Sequence, residues 1–226
     1  MDLHINSRET SGLRWQSKGY SNPLPLFIKC FIDVTLSAFG LVFLSPFLGL
    51  MALLIALDSR GGVFYHQPRL GRMGKTFNVL KFRTMYKDAD AILERELRLN
   101  PELKKEWDCY QKLKIDPRVT HIGRLLRCFS LDELPQLWNV IKGEMSLVGP
   151  RPMLVDQRQL YGEAYGEYVR VLPGITGLWQ VSGRNDTTFA RRAELDLEYI
   201  RCWSIGLDIY ILFKTIEIIL WREGAY

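Results

Sequence analysis

The sequence has few of the residues that build metal centres or disulfide frameworks. It holds 4 cysteines and 3 histidines in 226 residues. Cys30, Cys109, Cys128 and Cys202 form no CxxC pair, and no histidine lies at ligand spacing from them. A zinc finger and a small disulfide scaffold are thereby excluded, leaving free thiols of a reducing compartment. No internal repeat or low-complexity tract is visible. The opening residues mix both charge signs without an apolar run, so they do not read as a secretory signal; residues 1–28 are expected to form a flexible tail. What is present is ordinary globular chemistry, 47% hydrophobic and 24% charged, with enough apolar content for a core. The formal net charge of +5 suits an acidic partner. Aromatic-and-basic nucleic-acid signatures are missing, which leaves anionic lipid or a phosphorylated substrate rather than nucleic acid.

One apolar run stands out. Val34 to Leu57 carries no charge and is bracketed by Asp33 and Asp58. As a straight helix it would reach roughly 36 Å at about 1.5 Å per residue, beyond a hydrocarbon core of roughly 30 Å. Ser45-Pro46 sits at its middle, where proline removes a backbone donor and favours a kink. The Ser45 hydroxyl can re-satisfy a freed carbonyl. Cations lie on both sides: Arg8, Arg14, Lys18 and Lys29 before, Arg60, Arg69, Arg72 and Lys75 after. By the positive-inside rule both ends belong on the cytoplasmic side. A straight span, a re-entrant helix and a buried core helix all stand open on this pattern.

Beyond it, Gly62–Gln67 and Thr76–Met85 read as a hairpin, which puts Lys81 and Arg83 on one strand face. Tyr86–Lys114 reads as a solvated helical pair divided at Asn100-Pro101, with Asn100 as N-cap. His121–Cys128 is a short helix. Leu134, Leu137, Trp138 and Ile141 follow helical spacing to Gly143, and Met145–Val148 is a short strand. Pro173-Gly174 is expected to turn, Thr187–Trp203 to be helical, and Leu207–Trp221 to form an amphipathic helix. For that last helix, a core position and a place in the membrane interface are both open.

Two groups of residues carry candidate chemistry. The adjacent acids Asp132 and Glu133 sit at a helix start. Ser130-x-x-Glu133 matches a capping box, where acids gain only about 0.3–1 kcal/mol from the dipole. Pro135 argues against that box: a helix opening at Leu134 would give proline its preferred first position and leave both acids outside it. The cations Lys81, Arg127, Arg151 and Arg184 come from separate segments, and Arg151 stands between Pro150 and Pro152. Each alone reads as a surface charge; together they suit a diphosphate, which arginine grips as a fork. Gly71, Gly74, Gly177 and Gly183 are weaker signals, since turns need glycine anyway.

Four strings are more specific: Lys81-Phe-Arg-Thr-Met85, Ser130-Leu-Asp-Glu-Leu-Pro-Gln-Leu-Trp-Asn139, Gly143-Glu-Met-Ser-Leu-Val-Gly-Pro-Arg-Pro152 and Pro173-Gly-Ile-Thr-Gly-Leu-Trp-Gln-Val-Ser-Gly-Arg184. With them the chain, from about Lys29 onward, resembles the bacterial sugar transferase family of small phosphoglycosyl transferases, in its short exopolysaccharide type. The resemblance implies an α+β, helix-rich monotopic domain with a re-entrant helix over 29–58 broken at Ser45-Pro46, a short β-hairpin, interfacial amphipathic helices and a cytosolic catalytic domain over 59–226. It implies catalytic Asp132 and Glu133, a Mg2+ ion touching Asp132, and substrate-binding Lys81, Arg127, Arg151 and Arg184. The implied reaction moves a sugar-1-phosphate, galactose or glucose foremost, from a UDP-sugar to undecaprenyl phosphate through a phosphosugar held on Asp132. That would be the first step of exopolysaccharide repeat-unit assembly, at the cytoplasmic face of the bacterial inner membrane. A homodimer is left open, and the competing reading is a non-catalytic membrane scaffold for glycan assembly enzymes. One departure is Cys30, where members often carry arginine after the lysine.

Overall fold

The computed structural model describes residues 23–110, 113, 115–183 and 188–221. Helix α1 (Pro23–Asp58) precedes an antiparallel hairpin of β1 (Phe64–Leu70) and β2 (Thr76–Phe82), in a register pairing Phe64 with Phe82 and Leu70 with Thr76. Helices α2 (Ala89–Leu99) and α3 (Pro101–Tyr110) follow, then α4 (His121–Cys128). A 3-10 segment (Leu131–Gln136) runs into α5 (Leu137–Ile141). Strand β3 (Ser146–Val148) pairs in parallel with β4 (Gly174–Thr176), and α6 (Tyr165–Tyr168) lies between them in sequence. Helices α7 (Leu178–Val181), α8 (Phe189–Cys202) and α9 (Ile205–Trp221) complete the described chain. The result is a helix-rich α+β architecture with two small sheets.

Helix α1 begins at Pro23, earlier than the expected Lys29, and its hydrogen-bonded course runs unbroken through Ser45-Pro46. The helical course is therefore not interrupted at the expected break. The reason is local: Pro46 offers no N–H to the Val42 carbonyl, and the Ser45 hydroxyl donates to that oxygen instead, at 2.8 Å. The helix is two-faced. Lys29, Asp33, Ser37, Met51 and Ile55 are buried against the rest of the chain. Leu24, Phe27, Phe31, Phe39, Val42, Phe43, Leu50, Leu53 and Leu57 form a bare apolar stripe at three- and four-residue spacing. The domain grips the helix at both ends. Lys29 donates to the Val148 carbonyl at 3.1 Å and to Asp208 at 2.6 Å, and the Asp58 carboxylate accepts from the Ile122 amide at 3.1 Å. Length and composition suffice for a membrane crossing, and only 11% of its most apolar window is buried. Such a bare apolar surface marks a membrane-associated face.

The core divides into clusters. Val148, Tyr199, Trp203, Leu207 and Ile211 join β3, α8 and α9, while Met51, Ile55, Phe82 and Leu126 join α1, β2 and α4. Each fully buried large side chain contributes about 1.5–3 kcal/mol. Helix α9 has a core face and an exposed apolar face: Leu207, Ile211 and Ile218 are buried, while Ile209, Tyr210, Phe213, Ile216 and Trp221 are exposed. Asn100 caps α3 as expected, accepting from the amides of Glu102 and Leu103 at 3.1 and 3.3 Å. Pro173-Gly174, expected to turn, instead opens β4. There Gly174 sits so close to Gly149 that a Cβ would lie 2.1 Å from the Gly149 nitrogen.

Candidate active site

The two acids lie on the 3-10 segment, not before a helix. Ser130 adopts φ 55° and its side chain makes no cap bond, so the capping box is not formed. Pro135 falls inside the 3-10 segment, which needs fewer backbone donors per turn than an α-helix entered at Leu134. Asn139 fastens this segment to the hairpin. Its carboxamide oxygen accepts from the Leu80 amide at 2.9 Å, and its nitrogen donates to the Asn78 carbonyl at 2.8 Å. A buried side chain thus substitutes for a neighbouring strand along β2 and brings Glu133 to Lys81.

The two acids have different fates. Glu133 accepts from the Lys81 ammonium at 2.7 Å and stands 3.5 Å from the Arg151 guanidinium. Burial pushes its carboxyl up, but Lys81 and Arg151 outweigh burial and carry it down to about 2. Asp132 forms no ion pair among the described residues. Burial first, then the neighbouring Glu133 charge, push its carboxyl above the usual range, against the pull of Lys81 and Arg127. A raised carboxyl is more basic when ionised, so Asp132 is the better nucleophile of the pair. Arg127 is oriented by a 2.9 Å bond from its Nε to the Thr84 hydroxyl. That hydroxyl is placed by a close helix–strand approach: a Cβ on Gly123 of α4 would lie 2.1 Å from the Thr84 carbonyl.

Arg151 leaves β3 on the rigid Gly149–Pro152 turn and lies over the Trp179 ring at 5.6 Å. Its turn is held from behind, where the Tyr168 hydroxyl donates to the Arg151 carbonyl at 2.9 Å and accepts from the Met153 amide at 3.0 Å. A small recess is lined by Arg69, Val79, Lys81, Glu133, Gln136, Arg151, Pro152 and Ile175. The structure brings Lys81, Glu133 and Arg151 together, with Asp132 and Arg127 near them. Arg184 lies outside the described residues. Arg83, expected beside Lys81, turns away past the strand end and donates to the Ser59 carbonyl at 2.7 Å. Gly177 is not a phosphate cradle: the space of its missing Cβ is taken by the Gly149 carbonyl at 2.1 Å.

Sequence reasoning missed Arg69 and Arg192. Arg69 on β1 is half-buried and donates to the Pro152 carbonyl at 3.1 Å and to Gln67 at 2.7 Å. Arg192 on α8 stacks over Trp179 at 4.9 Å. A signal did exist for Arg192. With Leu195, Asp196, Tyr199 and Ile200 it lies on the inward stripe of an otherwise charged helix. No one-dimensional signal marks Arg69, because only the hairpin register and the Pro152 turn bring it to the recess.

Among the described residues no three acids, histidines or cysteines gather into a metal cluster. One carboxylate without a counter-ion, beside a cation-lined recess, still fits magnesium. That ion takes one or two carboxylates and completes its shell with substrate phosphates and water. Asp132 is the residue that would hold it.

A profile of the family described as "Bacterial sugar transferase" matches residues 24–222. The chain is 44% identical over 211 residues to the exopolysaccharide production protein ExoY of Rhizobium meliloti, a match that spans 93% of each protein. Over 200 residues it is 44% identical to the undecaprenyl-phosphate galactose phosphotransferase of Salmonella typhimurium, covering 88% of this chain and 42% of that one. Over 207 residues it is 47% identical to the undecaprenyl-phosphate glucose phosphotransferase of Komagataeibacter xylinus, covering 86% and 36%. The chain thus spans nearly all of the first relative and under half of the other two. Because the matched stretch takes in α1, the acid pair and every described cation of the recess, the chain belongs to the bacterial sugar transferase family.

Proposed function

We propose that this chain transfers a sugar-1-phosphate from a UDP-sugar to undecaprenyl phosphate, releasing UMP, as the first step of exopolysaccharide repeat-unit assembly. The carrying observation is the split within the acid pair: Glu133 is tied down by Lys81 and Arg151, while Asp132 has no ion-pair partner among the described residues. A carboxylate in that position is available to attack. An Asp132 oxygen bonds to the sugar-linked phosphorus as the bond from that phosphorus to the bridging oxygen breaks, and UMP departs with the electron pair. A phosphate oxygen of undecaprenyl phosphate then attacks the same phosphorus, the Asp132–phosphorus ester breaks, and the carboxylate is regenerated. Two easier displacements replace one hard one. Lys81 and Arg151 hold Glu133 in place and lend positive charge to the transferring group, and Arg127 holds its own charge near Asp132. Magnesium, when bound, offsets diphosphate charge and stabilises the departing UMP.

The relatives' names support this donor and acceptor class, with galactose and glucose as the leading sugars. The membrane geometry supports it too. Residues 29 and 58 would be roughly 44 Å apart along a straight helix, enough to carry them to opposite leaflets. Both are bonded to the same domain, which favours a helix that enters and leaves by one leaflet, with the site at the cytoplasmic headgroup level. That is where a lipid-bound phosphate acceptor is found.

The test is donor-treated protein without acceptor, read by mass spectrometry. A phosphosugar adduct on Asp132 is expected, and Asp132→Asn, checked for deamidation, should lose UMP release by ~10³-fold or more. An adduct on another side chain, or near-normal UMP release by the variant, would overturn the assignment of the nucleophile.

A further inference from the structure

We propose that Arg69, with Arg192 beside it, receives the nucleotide-side phosphate of the donor diphosphate; this rests on the transferase reading above. Among the described residues no carboxylate lies within ion-pair distance of Arg69, and its two acceptors, the Pro152 carbonyl and the Gln67 carboxamide, are both neutral. Its nearest charged company is of its own sign: Arg151 and Arg192 both act on it, and Glu133 acts more weakly. Arg151 and Arg192 lie over one Trp179 ring, at 5.6 and 4.9 Å, so three guanidiniums converge around one turn. The Nε of Arg192 is buried without a hydrogen bond, and its nearest carboxylate oxygen, on Asp196, is 3.9 Å away. Arg151 has Glu133 at 3.5 Å and Arg192 has Asp196 at 3.9 Å, so among the described residues Arg69 is the one of the three with no carboxylate in ion-pair reach. A half-buried cation in like-charged company costs stability and is repaired by an anion.

The geometry also separates the two phosphates. The sugar-linked phosphorus must reach Asp132, whose charged company is Glu133, Lys81 and Arg127. Arg69 is bonded to the Pro152 carbonyl and lines the recess together with Arg151. Arg151 pairs with Glu133 and neighbours Arg69, so it can bridge the two positions. A diphosphate laid across Arg151 would then put one phosphate at Asp132 and the other at Arg69. A guanidinium has five N–H donors. With two already spent on Pro152 and Gln67, donors remain for an oxyanion.

The test compares wild type, Arg69→Gln and Arg69→Lys in three readouts: KM for the UDP-sugar, affinity for inorganic pyrophosphate, and Tm without ligand. Arg69→Gln is expected to raise KM and weaken pyrophosphate binding roughly 10- to 100-fold, the loss of a charged hydrogen-bond donor. Arg69→Lys should recover part of both, and the ligand-free Tm should hold or rise. Unchanged KM and pyrophosphate affinity in Arg69→Gln overturn the inference. So does a loss that accompanies a fallen Tm in both variants, because that pattern belongs to a structural arginine holding the Pro152 turn. If wild type releases no UMP from any UDP-sugar, the transferase reading fails, and pyrophosphate affinity still decides Arg69.

Discussion

Two polar clusters, one along β3 and one beyond its C-terminal end, balance charge in opposite ways. At the foot of α1, Lys29 faces Asp208 at 2.6 Å and Asp33 at 3.5 Å. Asp208 also accepts from the Tyr199 hydroxyl at 2.7 Å and the Trp203 indole at 3.0 Å, and Asp33 accepts from Ser146 at 2.6 Å. Lys29 donates to the Val148 carbonyl, which also shares the single hydroxyl protons of Tyr199 and Ser146. This cluster is closed, since each carboxylate has its donors and the cation has its acids. Beyond Gly149, Arg69, Arg151, Arg192 and Lys81 outnumber the acids in reach among the described residues, and Asp132 has no ion pair there. A closed cluster needs nothing further, so it reads as a clamp. An open one is complete only with a ligand. Both occupy half-buried or buried ground, so burial alone does not distinguish structure from function here; satisfaction does.

The largest effect that sharpens the contrast is on stability. Asp208→Ala strands a buried ammonium with only the more distant Asp33, and it removes the acceptor for Tyr199 and Trp203. A loss of about 3–5 kcal/mol is expected, as when one partner of a buried pair is removed. Removing a cation from the open cluster, as in Arg69→Gln, should leave the ligand-free protein as stable or more so. Parallel thermal melts of the two variants decide it. Equal losses would mean that the open cluster is also structural, and the comparison would break.

The closed cluster was barely legible in the sequence. Lys29 and Asp33 stand just before the apolar run, but their partners Asp208, Tyr199 and Trp203 lie far along the chain, in and between α8 and α9. Only Asp208, a charge on the inward stripe of an apolar helix beside Leu207 and Ile211, advertised itself. The open cluster was mostly legible, because its residues sit in long ordered strings around turns. Helices and the hairpin were legible from periodicity and from caps such as Asn100. The 3-10 course of Leu131–Gln136 was not, because its shape is imposed by Asn139 gripping β2 rather than by local propensity. Likewise β4 reads as a turn in the sequence, since parallel pairing with β3 is a long-range choice that Pro173-Gly174 does not announce.

A second, smaller effect separates the acids by pH. Burial is the main cause that raises the Asp196 carboxyl to about 6, partly opposed by Tyr161 and Arg192. An acid raised in the folded state stabilises below its unfolded value near 3.8 and loses that contribution as pH climbs through about 6. The span amounts to about 3 kcal/mol at most. Glu133 has the opposite sign. Its contribution is complete above 4.5 and disappears only as pH falls toward about 2, so it is flat between pH 5 and 7. The Tm of Asp196→Asn, which keeps an acceptor for Tyr161, should therefore gain on wild type as pH rises from 4 to 7. A constant difference across that range would show that Asp196 does not carry the titration.

The smallest effect asks whether the two clusters are separable at all. The single Tyr199 hydroxyl proton is shared between Asp208 at 2.7 Å and the Val148 carbonyl at 2.9 Å, and Val148 lies just before the turn that carries Arg151. Tyr199→Phe keeps the ring in the core and removes only the hydroxyl, for a cost of about 1–3 kcal/mol where a buried acceptor loses its donor. The Val148 carbonyl retains Lys29 and Ser146, so β3 should keep its course and the cost should fall at the low end of that range. If the closed cluster is a clamp and nothing more, the melt shifts down while KM for the UDP-sugar stays at the wild-type value. A raised KM would mean that the hydroxyl reaches Arg151 through β3. The membrane foot of α1 would then set donor affinity, and the boundary between clamp and cradle would have to be redrawn to include Val148.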